Sequence, residues 1–498
     1  MKYQSTRGSG KRITAAESIV RGLSEDGGLF VPESLPKLSM DDIARLAANP
    51  YKDRAAYVMG LFLEEFSAEE LGRYTSEAYC APGFDHPAIA PLYKLDGNTH
   101  FMELWHGPTS AFKDMALQML PRLLIASLRK TGEEREVCIL VATSGDTGKA
   151  ALEGFSDVHG TRIMVFYPRD GVSDVQKLQM TTQEGGNVNV VAVEGNFDDA
   201  QTGVKAIFSD AGFREELDTQ GCFLSSANSI NWGRLVPQIA YYVSAYCDLL
   251  PEGVIALGDK INFCVPTGNF GNILAAYYAE RIGLPVNKLI CASNRNDVLT
   301  QFINTGVYDK NRPFHTTVSP SMDILVSSNL ERLLFELSGK DGSAASGYMS
   351  ALASTGRYEV PAPVRDEVGR VFAGGWCSEE DTMGTIAGAF HGHDYLIDTH
   401  TAVAYKVLGD YRSKSGDATP TVVVSTASPF KFCDSVLRAI GRPCEAGGVA
   451  LIDALADAAG CAAPAQLSAL RGKSPRFLDS VAPDGMKAAV KAFLADRK

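Results

Sequence analysis

A chain of 498 residues is too long for one hydrophobic core, so two or three domains are expected. Its 45% hydrophobic and 21% charged residues are those of an ordinary globular protein. A net charge of −12 and a pI near 5.3 exclude the concentrated positive field that a nucleic-acid or anionic-membrane partner would need.

Ten cysteines are scattered at 80, 138, 222, 247, 264, 291, 377, 433, 444 and 461, none in a C-x-x-C. They read as small buried hydrophobes in a reducing compartment. No apolar run approaches the roughly 18 residues of a membrane span, and the N-terminus carries no apolar signal region. A cytoplasmic protein without membrane or nucleic-acid partners is expected.

In chain order, residues 1–97 read as a separate, mainly helical N-terminal module. A helix from Ala15 precedes the turn Glu25–Gly28, the extended piece Leu29–Pro32, and helices near 40–48 and 53–65; a Pro-rich linker follows at 81–91. From 98, short apolar runs alternate with amphipathic helices: Val137–Ala142 with Lys149–Phe155, Ile163–Tyr167 with Val172–Thr181, Val188–Val193 with Asp198–Phe208. This alternation predicts βαβ units, and so an α/β fold with mostly parallel sheets covered by helices. It resumes at Ile261–Val265 before a helix at 271–281, continues at Leu289–Ala292, and ends near Thr421–Val424. Residues 441–498 read as a helical tail, with an alanine-rich helical stretch at Ala456–Ala465.

One stretch stands out, His106-Gly-Pro-Thr-Ser-Ala-Phe-Lys113-Asp114. A lysine behind a Gly-Pro turn, at the head of an apolar helical run, is ordinarily solvated. Three more Gly/Ser/Thr/Asn-rich loops, at 143–148, 267–272 and 425–428, each follow a short apolar run. Such loops bind anions through backbone N–H groups. A buried amine ringed by them suggests a Schiff-base lysine with a phosphorylated carbonyl cofactor.

Each loop offers particular chemistry. Ser144 and Thr147 carry hydroxyls at a helix start, while Ala150 and the wrong spacing rule out a triphosphate-binding loop. Gly268, Asn269, Phe270, Gly271 and Asn272 make a nest for one dianionic phosphate, without dinucleotide spacing. Asn228, Ser229 and Arg234 can clamp a second anion. Thr426 and Ser428 place hydroxyls after the last strand. His391, His393 and His400 lack the spacing and partners of a zinc site, so no metal is expected.

Together, the lysine motif, Thr143-Ser-Gly-Asp-Thr-Gly148, Gly268-Asn-Phe-Gly-Asn272 and Ser425-Thr-Ala-Ser-Pro-Phe-Lys-Phe432 closely resemble the threonine synthases, in their longer bacterial and fungal form. Similar segments run from Tyr3-Gln-Ser-Thr-Arg7 through Ser319-Pro-Ser-Met-Asp-Ile324 to Asp398-Thr-His-Thr-Ala-Val403. The resemblance covers residues 1–440. It implies the pyridoxal-phosphate fold of the tryptophan-synthase-β type, a smaller α/β domain at 143–224 inserted in a larger one formed by 98–142 and 225–440. It implies pyridoxal 5'-phosphate bound by Lys113 and by residues 268–272, with Thr426, or its neighbour Ser428, at the pyridine nitrogen. Ser144 and Thr147 would receive the substrate's carboxylate, with Asp146 standing where several relatives have asparagine; Asn228, Ser229 and Arg234 would hold its phosphate. The implied reaction turns O-phospho-L-homoserine and water into L-threonine and phosphate, in a monomer or homodimer. The same motifs would serve an O-phosphohomoserine phospho-lyase giving 2-oxobutyrate, or a serine/threonine dehydratase. A non-enzymatic binding protein would be expected to lose Lys113.

Overall fold

The computed structural model describes residues 1–169, 172–445 and 447–496. Two open sheets dominate it. The larger runs, edge to edge, Phe372–Trp376, Val286–Ser293, Ile261–Pro266, Thr421–Ser425, Thr99–Glu103 and Leu92–Lys94. Every pairing in it is parallel except the last. The smaller runs Ser480–Val481, Val188–Val193, Thr161–Pro168, Glu136–Ala142 and Cys222–Ser225, all parallel. Ile261–Pro266 and Thr421–Ser425 are buried at every position because helices cover both faces, which is why their apolar residues cluster, as in Phe263–Pro266 and Val422–Val424, rather than alternate.

Strand order positions the site. Ile261–Pro266, Thr421–Ser425 and Thr99–Glu103 are consecutive parallel neighbours, with Val423 opposite both Cys264 and Phe101. The segments that follow them therefore leave the same edge side by side, carrying residues 267–272, 426–428 and 104–113. The smaller sheet delivers residues 143–147 from the carboxyl end of Glu136–Ala142, the usual ligand-binding edge of an open α/β sheet.

Several expectations are corrected. The boundary at 143 cuts off the strand Glu136–Ala142, which pairs with Thr161–Pro168 and Cys222–Ser225 and so belongs to the smaller sheet. The C-terminal tail is not only helical, since Ser480–Val481 joins that sheet beside Val188–Val193. Within the tail, the helix expected at Ala456–Ala465 instead spans Ala450–Ala459 and stops at left-handed Gly460; a short helix, Ala465–Ser468, restarts after Pro464. The N-terminal segment is not separate either. Its helix Tyr51–Phe62 packs along Trp232–Leu249, the Arg54 guanidinium donates to Ser244 Oγ at 2.9 Å, and the two share one apolar core. A further helix, Ala68–Ala78, begins at a reciprocal cap between Ser67 and Glu70 that the apolar pattern alone does not reveal.

Candidate active site

The lysine loop is built as a rigid turn. Asp114 accepts from Thr109 N–H at 2.8 Å and Thr109 Oγ1 at 2.7 Å. Gly107 is required beneath it, because a Cβ there would stand 2.6 Å from Asp114. Burial raises the Asp114 carboxyl to about 6, against the pull of the Thr109 hydrogen bonds. The loop is then zipped to the hydroxyl loop: Phe112 N–H donates to Thr426 O at 2.8 Å and Ser428 N–H to Ser110 O at 3.1 Å. At its end Lys113, only 8% exposed, points its amine at Asp146 Oδ2 and Ser321 Oγ, both 3.4 Å away.

A charge cluster surrounds this amine. Burial pushes the Lys113 pKa below its ordinary value; Arg234 and Lys431 push the same way and Asp146 opposes them. Burial alone would raise the Asp146 pKa, but Lys431, Lys113 and a 2.8 Å hydrogen bond from Gln176 hold it well below the carboxylate range. Lys431, fully buried, reaches Asp146 Oδ1 at 2.9 Å, Thr109 O at 2.8 Å and Gln179 Oε1 at 3.0 Å. On the far side of Ser321, its backbone N–H donates to His400 Nε2 at 3.2 Å, and His400 Nδ1 lies 2.9 Å from Asp398.

The other predicted residues fall around this centre. Gly268 lies against the Ser321 carbonyl, where a Cβ would approach to 2.6 Å. Phe270 takes a left-handed φ of 62° and sends its ring into the core against Phe372, so it offers only backbone to the nest. Asn272 Oδ1 accepts from the Tyr241 and Tyr242 hydroxyls, while its buried Nδ2 has no partner among the described residues. Asn269 has an exposed side chain and a carbonyl committed to Asn329. Gly271 starts the helix Gly271–Ile282.

Arg234 is buried, not solvated. Its Nη1 donates to Ala227 O at 2.7 Å, its Nη2 lies 3.5 Å from Thr147 Oγ1, and its Nε is unpartnered among the described residues. Burial lowers its pKa to about 10. Ser144 and Asn228 are half-buried with no side-chain hydrogen bond among the described residues; Ser229 Oγ accepts from Asn329. The helix at Asp146 is capped by Thr143, whose Oγ1 accepts from Gly145 and Gly148 N–H groups. Ser428 Oγ accepts from Phe430 N–H as the cap of Pro429–Lys431, whereas the buried Thr426 hydroxyl has no partner among the described residues. His391 and His393 lie in the last turn of the helix Glu379–His393.

Comparison with known proteins covers most of the chain. Family models match in succession: threonine synthase N terminus over residues 2–79, pyridoxal-phosphate dependent enzyme over 84–428, and threonine synthase, C-terminal, over 401–493. Threonine synthase of Pseudomonas aeruginosa is 43% identical over 441 residues, which cover 88% of this chain and 90% of that protein. The chain belongs to the threonine synthase family of pyridoxal-phosphate-dependent enzymes. Human threonine synthase-like 1 is 41% identical over 85% of this chain, and the chain spans 58% of that protein's length. The crystal structure of pyridoxal-phosphate-bound threonine synthase from Brucella melitensis superposes with a TM-score of 0.87 at 37% identity, covering 99% of each chain.

The site of this threonine synthase family member fits the family's cofactor. It combines a buried amine of lowered pKa, a glycine-lined helix start, and two unused polar groups, Asn272 Nδ2 and the Thr426 hydroxyl. Sequence reasoning missed Lys431, Ser321, His400, Asp398 and Gln176. Lys431, Ser321, Asp398 and His400 all lie in segments that the resemblance singled out, without a role being read for them; Gln176 carried no such signal.

Proposed function

We propose that this chain is a threonine synthase, a carbon–oxygen lyase acting on phosphates that converts O-phospho-L-homoserine and water to L-threonine and phosphate. The observation that carries the reading is Lys113, a buried amine of lowered pKa with two long contacts, set between two anion-binding loops. Pyridoxal phosphate, when bound, supplies the electron sink that makes the substrate's Cα and Cβ protons removable.

The chain's own residues do the rest. Lys113 holds the cofactor, takes the Cα proton, and moves protons at Cβ and Cγ, a task its lowered pKa suits. Backbone N–H groups of 268–272 and Asn272 Nδ2 hold the cofactor's phosphate. Thr426, whose hydroxyl has no partner among the described residues, faces the pyridine nitrogen in preference to Ser428, whose oxygen is held in place by Phe430 N–H. Ser144, Thr147 and the helix start at Asp146 receive the substrate carboxylate. Arg234, Asn228 and Ser229 bind the phosphate, which departs with the Cγ–O bonding pair; a proton then enters at Cγ, water supplies hydroxide at Cβ, and a proton returns to Cα.

All these groups come from one chain, which supports a working monomer or a homodimer with a complete site in each subunit. The ten cysteines are free, in keeping with a reducing cytoplasm. Among the described residues no helix is long and apolar enough to cross a membrane.

The deciding experiment supplies O-phosphohomoserine to cofactor-loaded protein and measures threonine, phosphate and 2-oxobutyrate. Threonine and phosphate in equal amounts are expected. 2-Oxobutyrate with ammonia in place of threonine would overturn the reading in favour of a phospho-lyase.

A further inference from the structure

Two fully enclosed arginines near the site make no salt bridge among the described residues. One is Arg234. The other, Arg332, lies in the first turn of the helix Leu330–Leu337 and is 0% exposed. It gives its donors to neutral acceptors: Nε to Phe30 O at 3.0 Å, Nη2 to Ile230 O at 2.6 Å, and Nη1 to Asn329 Oδ1. Burying a guanidinium in this way is unfavourable unless an anion compensates it nearby. Burial lowers its pKa to about 10.

Asn329 stands between this charge and both phosphate loops. It too is 0% exposed. Its Nδ2 donates to Asn269 O at 3.0 Å and to Ser229 Oγ at 3.0 Å, and its backbone N–H donates to Asn269 O at 3.2 Å. A Cβ on Gly271 would stand 3.3 Å from that Nδ2 and 3.4 Å from the Ser229 Cβ, so glycine there leaves the amide the room to meet both loops. The hydrogen bonds also have a direction. Ser229 Oγ accepts from Asn329, and among the described residues its own proton has no acceptor. A hydroxyl so placed is left with one free donor.

We infer that Asn329 is a positioning residue for the substrate's phosphate. It orients Ser229 so that the hydroxyl proton is presented to that group, and through Asn269 it locks the substrate-phosphate loop to the cofactor-phosphate loop. Arg332 fixes the amide's orientation and polarises it. The inference rests on the threonine synthase reading for the identity of the anion at 228–234. It also gives the N-terminal segment a function, because Phe30 holds Arg332 and, one residue earlier on the helix, Glu331 is held by Thr6 Oγ1 at 2.6 Å and by Arg7 at 2.9 and 3.0 Å.

Asn329→Asp tests it in the cofactor-loaded protein. The carboxylate keeps the side chain's shape, pairs with Arg332, and accepts the Ser229 proton that the asparagine left free. KM for O-phosphohomoserine should rise about tenfold, more than kcat falls, as for loss of one charge-assisted hydrogen bond. Inorganic phosphate, followed by the rise in melting temperature it produces, should bind about tenfold more weakly. Ser229→Ala should show the same phosphate defect, and the combined variant no further loss, since the two act through one contact. Asn329→Ala takes the place of the aspartate variant if that does not fold. Unchanged phosphate affinity in a folded variant, or losses that simply add, would overturn the inference. If the parent protein makes no threonine the catalytic reading falls, while the phosphate titration still judges Asn329.

Discussion

The two lysines that share Asp146 live under opposite conditions. Lys431 donates to Thr109 O at 2.8 Å and to Gln179 Oε1 at 3.0 Å, and its charge pairs with Asp146 Oδ1 at 2.9 Å. Lys113 has two contacts, each at 3.4 Å, and a pKa lowered first by burial. A saturated cation is held and therefore holds its neighbours. An under-satisfied one remains available for chemistry. Proximity to a carboxylate does not separate these roles; the count and length of hydrogen bonds does.

Removing each lysine in turn is the sharpest way to break the comparison. Lys113→Ala should lower threonine formation by on the order of 10⁴-fold, the upper range for a lost acid–base group, and abolish the visible band of the bound cofactor. Turnover near the parental rate in that variant would end Lys113's claim. Lys431→Met should act on stability instead. Taking one partner from a buried pair costs about 3–5 kcal/mol, so the urea midpoint of the cofactor-loaded protein should fall clearly; an unmoved midpoint would show that Lys431 is not scaffold.

A third cation extends the saturated class with a smaller expected effect. His106 sits between Asp85 Oδ1 at 2.7 Å and Glu103 Oε2 at 2.8 Å. Burial alone would lower its pKa, but the two carboxylates raise it to about 9. The folded value lies above the unfolded one of about 6.5, so this contribution is complete below about pH 6.5 and is lost as pH rises through about 9. Melting temperature followed across that window should decline in the parent and stay flatter in His106→Gln. Parallel curves would show that the bridge contributes nothing.

The parts of the site legible in the sequence were those written locally. Gly268–Asn272 and Thr143–Gly148 each sit where an apolar strand meets a helix, the lysine turn heads an apolar helical run, and their glycines and hydroxyls declare loops that admit an anion. What escaped was assembled from afar. Lys113 meets Ser321, Ser321 is held by His400, and Asp146 is held by Lys431; no spacing in the chain announces such pairs. The missed strands have similar causes. Thr99–Glu103 carries a buried histidine in Thr-His-Phe-Met-Glu, and Ser480–Val481 is only two residues long. Arg332 lay hidden because a buried charge looks, in one dimension, like any solvated helix residue, and Asn329 because a buried amide before a helix looks like any polar one.

The late strand Ser480–Val481 also bears on how the protein is made. Four strands of the smaller sheet have been synthesised once Ser225 is added, yet Val188–Val193 stays uncovered until Asp479 and Val481 arrive to bond Ala192 and Glu194. Through most of translation the nascent chain therefore carries an open valine-rich edge, the kind that templates pairing between chains. The final segment seals that edge, and Met486 of the closing helix occupies the space beside Gly203. A product cut short after the catalytic residues would keep every group of the active site and still be prone to aggregate.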